Sequence, residues 1–141
     1  MSTTLEKLVS MIFTTSRLIR EHGGNKEKID HFSVLQMETL RYVDEKENPT
    51  MREIADYLCI ASPSATSLID TLVKSRQLER IHDKADRRLV RLAVTPKGKT
   101  VLASGFKKIT KRIQTVLSNL SEKERVDLIV ILEKLSQTYS K

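Results

Sequence analysis

A chain of 141 residues suits one domain, or two small units sharing a core, and its 39% hydrophobic and 30% charged content buries a core only where amphipathic faces align. Four Gly and three Pro leave little loop material, which excludes most all-β folds and a glycine-rich phosphate cradle. The net charge of +7 is unevenly spread: residues 74–99 hold nine Lys/Arg against three acids, whereas residues 32–61 hold three against six. A basic segment in an otherwise mixed chain is the footprint of a polyanion-docking surface. No apolar run is long enough to span a membrane. The stretch from Met1 to Lys7 lacks a signal-peptide pattern, and Cys59 is the sole cysteine, so a reducing, cytoplasmic setting is expected.

In chain order, Leu5, Leu8, Val9, Ile12 and Ile19 recur at helical spacing over residues 5–21, with Gly23 positioned to stop the helix and a charged connector from Lys26 to Asp30. Ser33-Val34-Leu35-Gln36 reads as a capping box opening a second helix, and Thr50-Met51-Arg52-Glu53 as another opening a short third helix. Ser62-Pro63 supplies an N-cap and a first-turn proline for a helix to about Lys74. The period then changes from helical to alternating: Leu78–His82 and Arg88–Val94 read as two strands around the charged linker 83–87. Thr95-Pro96 opens a long helix to about Asn119, and the box Ser121-Glu122-Lys123-Glu124 opens the last.

This order predicts a mainly α fold with a small β-hairpin wing, a winged helix-turn-helix flanked by terminal helices. The expected division is 1–31, an N-terminal dimerisation helix and connector; 32–96, the winged helix-turn-helix; and 97–141, the C-terminal dimerisation helices. The terminal stripes exceed what that small unit can cover. Leu5, Leu8 and Ile12, then Phe106, Ile109, Ile113 and Leu120, then Leu128, Leu132 and Leu135 are expected to meet a second copy of the chain.

The helix from Ser62 is apolar on one side through Ala65, Leu68, Ile69 and Leu72. Elsewhere it carries Ser64, Thr66, Ser67, Asp70, Thr71 and Lys74. Small hydroxyl residues at a helix N-terminus suit close entry to a major groove, where they bond phosphates or base edges. Ser62, Ser64, Thr66, Ser67, Thr71 and Lys74 are therefore the candidate DNA contacts on this helix. Asp70 is expected to turn toward a basic neighbour. Lys84, Arg87 and Arg88 at or beside the hairpin tip, with Arg91 following on a strand, can reach phosphates or a narrow minor groove; Asp83 and Asp86, interleaved with arginine, can hold guanidinium groups in fixed orientation, and Asp86 is expected to support the tip rather than bind DNA.

The segment Asp83-Lys84-Ala85-Asp86-Arg87-Arg88-Leu89-Val90-Arg91-Leu92-Ala93-Val94-Thr95-Pro96-Lys97-Gly98 resembles the wing and following helix start of the MarR (multiple antibiotic resistance regulator) family, as do Ser64–Leu72 and Glu79-Arg80. The resemblance runs through the element order over about residues 5–138. It implies a dimeric winged-helix transcription factor whose first and last two helices form the dimer, with helix 62–75 in the major groove of a pseudo-palindromic operator and the wing at the flanking minor groove. It also implies repression relieved by a small phenolic or lipophilic effector or by an oxidant. Two departures stand out: Ala85 occupies the place where the family wing often has arginine, and Arg76-Gln77 replaces a usual Gly-Leu.

Other readings have less support. His22, His31 and His82 show no metal-ligand spacing, and no nucleophile-base pair or paired carboxylates are apparent, so no catalysis, metal or cofactor is expected. Cys59 offers a thiol-based redox sensor, though its setting between Leu58 and Ile60 fits a small buried residue in a tight turn. A DNA-free dimeric adaptor is the remaining alternative. An effector pocket, if present, is expected beneath the long helices near Ile12, Phe13 and Leu40.

Overall fold

The computed structural model describes residues 3–22 and 31–138; the expected Gly23 stop and the connector Lys26–Asp30 lie outside them. The elements are α1 (Thr4–His22), α2 (His31–Lys46), α3 (Met51–Leu58), α4 (Ser62–Lys74), β1 (Leu78–His82), β2 (Val90–Val94), α5 (Pro96–Leu117) and α6 (Glu122–Ser136). The chain divides into two compact units, Ile29–Lys108 and the pair of segments Met1–Lys28 and Ile109–Lys141.

Within Ile29–Lys108, Leu40 and Val43 of α2, Ile54 of α3, Ile69 and Leu72 of α4, Leu78 of β1 and Leu92 of β2 form one buried cluster. Each side chain comes from the apolar stripe or inward register of its element, and full burial of such a residue is worth about 1.5–3 kcal/mol. Tyr42 stacks on Tyr57 with centroids 4.2 Å apart, joining α2 to α3. The strands pair antiparallel from Leu78 opposite Val94 to His82 opposite Val90. A further bridge joins Thr50 to Arg91, and the Leu92 N–H donates to the Pro49 carbonyl at 2.9 Å, so the wing is tied to the start of α3.

Local signals set most boundaries. Thr50 caps α3 by accepting from the Glu53 N–H at 3.2 Å, Thr95 accepts from the Gly98 N–H at 3.0 Å, and Ser121 and Glu124 exchange both bonds of a capping box. A reciprocal Thr3–Glu6 pair at the head of α1 was not anticipated. Two expected caps are displaced. α2 begins at His31, placing Ser33 inside the helix, and α4 begins at Ser62 itself, with Ala61 at the cap position and Pro63 in the first turn. The second strand starts at Val90 rather than Arg88, because Asp86 holds Arg88 within the tip.

α4 ends without glycine. Arg76 takes the left-handed conformation, φ 62°, while its N–H donates to the Val73 carbonyl at 3.0 Å and the Gln77 N–H to the Leu72 carbonyl at 2.9 Å. This is a Schellman closure bearing a side chain where glycine is favoured. A left-handed residue with a Cβ costs about 1–2 kcal/mol, against about 0.5–1 kcal/mol for glycine's extra freedom when unfolded. Arg76→Gly is therefore expected to stabilise the protein by up to about 1 kcal/mol, seen as a higher urea midpoint; a lower midpoint would show that the arginine side chain stabilises this turn.

In the other unit, α1 and α6 carry most of their apolar residues outward, whereas Ile109, Ile113, Val116 and Leu117 at the end of α5 are half-buried. α6 has no buried residue, and Val126, Ile129, Val130, Ile131, Leu132 and Leu135 are 51–59% exposed. Arg125 Nε donates to the Leu117 carbonyl at 3.1 Å, satisfying one of the last carbonyls of α5.

Candidate nucleic-acid interface

α3 and α4 are joined by Cys59-Ile60-Ala61. Cys59 ends α3 in the left-handed conformation, φ 54°, and is exposed rather than buried as its apolar neighbours implied: the sharp turn directs Ile60 to partial shelter and leaves the thiol at the surface. α4 buries Ala65, Leu68, Ile69 and Leu72, which leaves Ser62, Ser64, Thr66, Ser67, Thr71 and Lys74 exposed. The Thr66 hydroxyl donates to the Ser62 carbonyl and the Thr71 hydroxyl to the Ser67 carbonyl, each at 3.0 Å, which fixes both rotamers and turns lone pairs and methyl groups outward. No side chain caps α4, so its first-turn N–H groups have no side-chain acceptor. Asp70 pairs with Arg80 of β1, so the only carboxylate of α4 has a cation beside it.

The hairpin tip is built by two aspartates. Asp83 Oδ1 accepts from the Ala85 N–H at 2.7 Å and the Asp86 N–H at 3.0 Å, and Asp83 Oδ2 accepts from Arg91 Nε at 2.6 Å. Arg91 Nη1 also donates to the Asn48 carbonyl at 3.1 Å. Asp86 Oδ1 accepts from the Arg88 N–H at 3.0 Å and Nε at 3.1 Å, and its Oδ2 from Nη2 at 3.3 Å. The hydrogen bond from Arg91 holds the Asp83 carboxyl below its ordinary range, and that from Arg88 does the same for Asp86. Both aspartates thus remain anionic braces at neutral pH. Lys84 and Arg87 are exposed and form no ion pair among the described residues. Arg88 is 90% exposed yet held by Asp86.

Asp83 holds a guanidinium, as its place among the arginines implied, and that guanidinium is Arg91; the sequence did not show that Arg91 also reaches the Asn48 carbonyl, or that Asp83 closes an Asx turn on the Ala85 and Asp86 N–H groups.

A groove of about 520 Å³ lies between α2 and α5, with Arg41, Asp44, Glu45, Lys99, Leu102 and Phe106 among its lining. It is lined by none of Ile12, Phe13 and Leu40; Leu40 is instead fully engaged in the core. Among the described residues, no three His, Cys, Asp or Glu side chains gather as a metal site, and no helix is long and apolar enough to cross a membrane.

Among the described residues, six helices with an antiparallel wing set between the fourth and fifth define a winged helix-turn-helix protein, with a basic wing beside an exposed hydroxyl-rich helix. The MarR family matches residues 32–90. YsmB of Bacillus subtilis, an uncharacterized HTH-type transcriptional regulator, is 30% identical over 119 residues, covering 83% of this chain and 77% of its own. A MarR family protein from Bacillus stearothermophilus superposes with a TM-score of 0.77 at 20% identity, over 98% of this chain and 96% of its own. Streptococcus pneumoniae FabT in complex with DNA superposes with a TM-score of 0.67 at 20% identity, over 95% and 94%. The chain belongs to the MarR family and is a DNA-binding transcriptional regulator.

Proposed function

We propose that the protein acts as a cytoplasmic homodimer that binds a pseudo-palindromic operator, represses transcription from it and lets go when a small-molecule effector binds. α4 enters the major groove, where Ser62, Ser64, Thr66, Ser67, Thr71 and Lys74 meet base edges and phosphates. Lys84, Arg87 and Arg88 on the wing meet the flanking backbone and minor groove. Two half-sites about 34–36 Å apart place both α4 helices on one side of the duplex. The observation that carries this reading is the pairing of charges: Asp70, Asp83 and Asp86 each have an arginine partner, whereas Lys84 and Arg87 stand exposed without one among the described residues. A surface so arranged presents uncompensated positive charge at a protruding tip.

Two further features support the assembly and the release. α6 carries Val126, Ile129, Val130, Ile131, Leu132 and Leu135 exposed among its charged residues and buries nothing in the single chain, a surface that suits a second copy. The groove between α2 and α5 sets Leu102 and Phe106 among the charged side chains Arg41, Asp44, Glu45, Lys99 and Lys107, suiting a small lipophilic molecule that bears a polar group.

Duplex retardation across a salt series tests the reading. The log affinity is expected to fall steeply with log salt, and Arg87→Ala to flatten that slope by about one unit while weakening binding to every duplex. A protein that retards no duplex at low salt would refute operator binding, and an unaltered slope would remove Arg87 from the interface.

A further inference from the structure

A two-stranded hairpin is marginal by itself in water, and the tip between β1 and β2 has little apolar anchorage. Ala85 is small, and Leu89 is exposed. The tip is nevertheless connected to the helix-turn-helix by a line of polar bonds. The Ala85 and Asp86 N–H groups donate to one oxygen of Asp83, and the other oxygen takes Arg91 Nε. The same guanidinium reaches on through Nη1 to the Asn48 carbonyl, in the turn before α3. That turn holds Glu47 and Asn48 both left-handed, φ 50° and 58°. Next to it, the Pro49 carbonyl accepts from the Leu92 N–H. The Arg91 and Asp83 side chains are 34% and 16% exposed, far more sheltered than Arg88, so water competes less for their bond.

We infer that Arg91 and Asp83 are positioning residues that lock the wing tip to the helix-turn-helix, so that Lys84 and Arg87 meet a duplex in fixed register with α4. The inference rests on the proposed DNA binding. Neither residue needs to touch the duplex. Only a planar fork serves here, because one guanidinium nitrogen faces the carboxylate while another faces a backbone carbonyl. An ammonium offers no second nitrogen for the carbonyl.

The sign of one substitution separates positioning from simple electrostatics. Asp83→Asn removes a negative charge from a DNA-facing wing, which by Coulomb's law alone strengthens binding. The lock requires the opposite: affinity about tenfold weaker, with a salt slope flatter by about two units as Lys84 and Arg87 both lose register. Arg91→Gln and Arg91→Lys are expected to behave alike, and Asp83→Asn with Arg91→Gln to be no weaker than either alone. An Asp83→Asn protein that binds as tightly as the parent, or more tightly, overturns the inference. So does an Arg91→Lys protein with parental affinity. A second measurement needs no DNA: amide hydrogen exchange at Ala85 and Asp86 is expected to quicken in Arg91→Lys, and unchanged exchange overturns the lock. Parent protein that binds no duplex, alongside quickened exchange in the variant, would count against the proposed function and leave the lock standing.

Discussion

Removal of α6 by ending the chain after Asn119 is expected to yield single chains whose operator affinity is lower by about 10²–10⁴-fold, the range lost when two linked binding events become one. The reasoning begins with Val126, Ile129, Val130, Ile131, Leu132 and Leu135, which point to different sides of one 15-residue helix. Large apolar side chains left exposed together on a helix mark a contact surface. The single chain encloses none of these residues, although α6 is securely begun by the Ser121–Glu124 capping box. In the proposed assembly, a helix with so well defined a start and so little cover within its own chain is covered by the second copy. Each half-site alone offers one α4 and one wing, so a lone chain keeps local contacts and loses the linkage between them. Sedimentation and retardation of the shortened protein check both parts. A dimer of undiminished affinity would reassign the interface to α1 and α5.

Gly98→Ala is expected to destabilise the fold by about 3 kcal/mol, lowering the melting temperature by about 10 °C. Gly98 sits in the first turn of α5, where the chain is sewn to the end of α4. The Thr95 hydroxyl donates to the Arg76 carbonyl, the Thr95 N–H donates to the Gln77 carbonyl at 3.1 Å, and Lys97 Nζ donates to the Ser75 carbonyl at 2.8 Å. A methyl group on Gly98 would overlap the Gln77 carbonyl oxygen and come within 2.8 Å of Val94 Cγ1. The oxygen belongs to the backbone and is already an acceptor for Thr95, so it cannot turn aside without breaking that bond. Relief requires α5 to move away from the α4–β1 turn. Calorimetry on Gly98→Ala measures the loss directly; parental stability would show that the two segments can separate at little cost.

The fold was legible at three helix starts and in the wing. Thr50, Thr95 and Ser121 each perform the capping their spacing implied, and the alternating run after Leu78 forms the expected strand pair. Ser33 and Ser62 misled because serine is at home both at the cap and just inside the first turn, where its hydroxyl can still bond the backbone. Cys59 misled for a different reason. Hydrophobic neighbours imply burial, yet a left-handed residue reverses the chain and turns its own side chain outward. The exposed hydroxyls of α4 followed from helical periodicity alone. The bond from Arg91 to Asn48 did not, because it spans 43 positions and depends on the wing folding back to the start of α3.

The outward side of α4 has one more consequence. Ser62–Lys74 contains no arginine, asparagine or glutamine, the side chains that grip a purine with two bonds at once. With their protons engaged by the helix itself, Thr66 and Thr71 can offer only lone pairs and methyls, matched to exocyclic amino groups and to the methyl of thymine, which leaves the donors of this surface to three small serines and Lys74. In the proposed complex, a reader with so sparse an alphabet would tolerate spelling variants, and spacing between half-sites would weigh more heavily than any single letter within them.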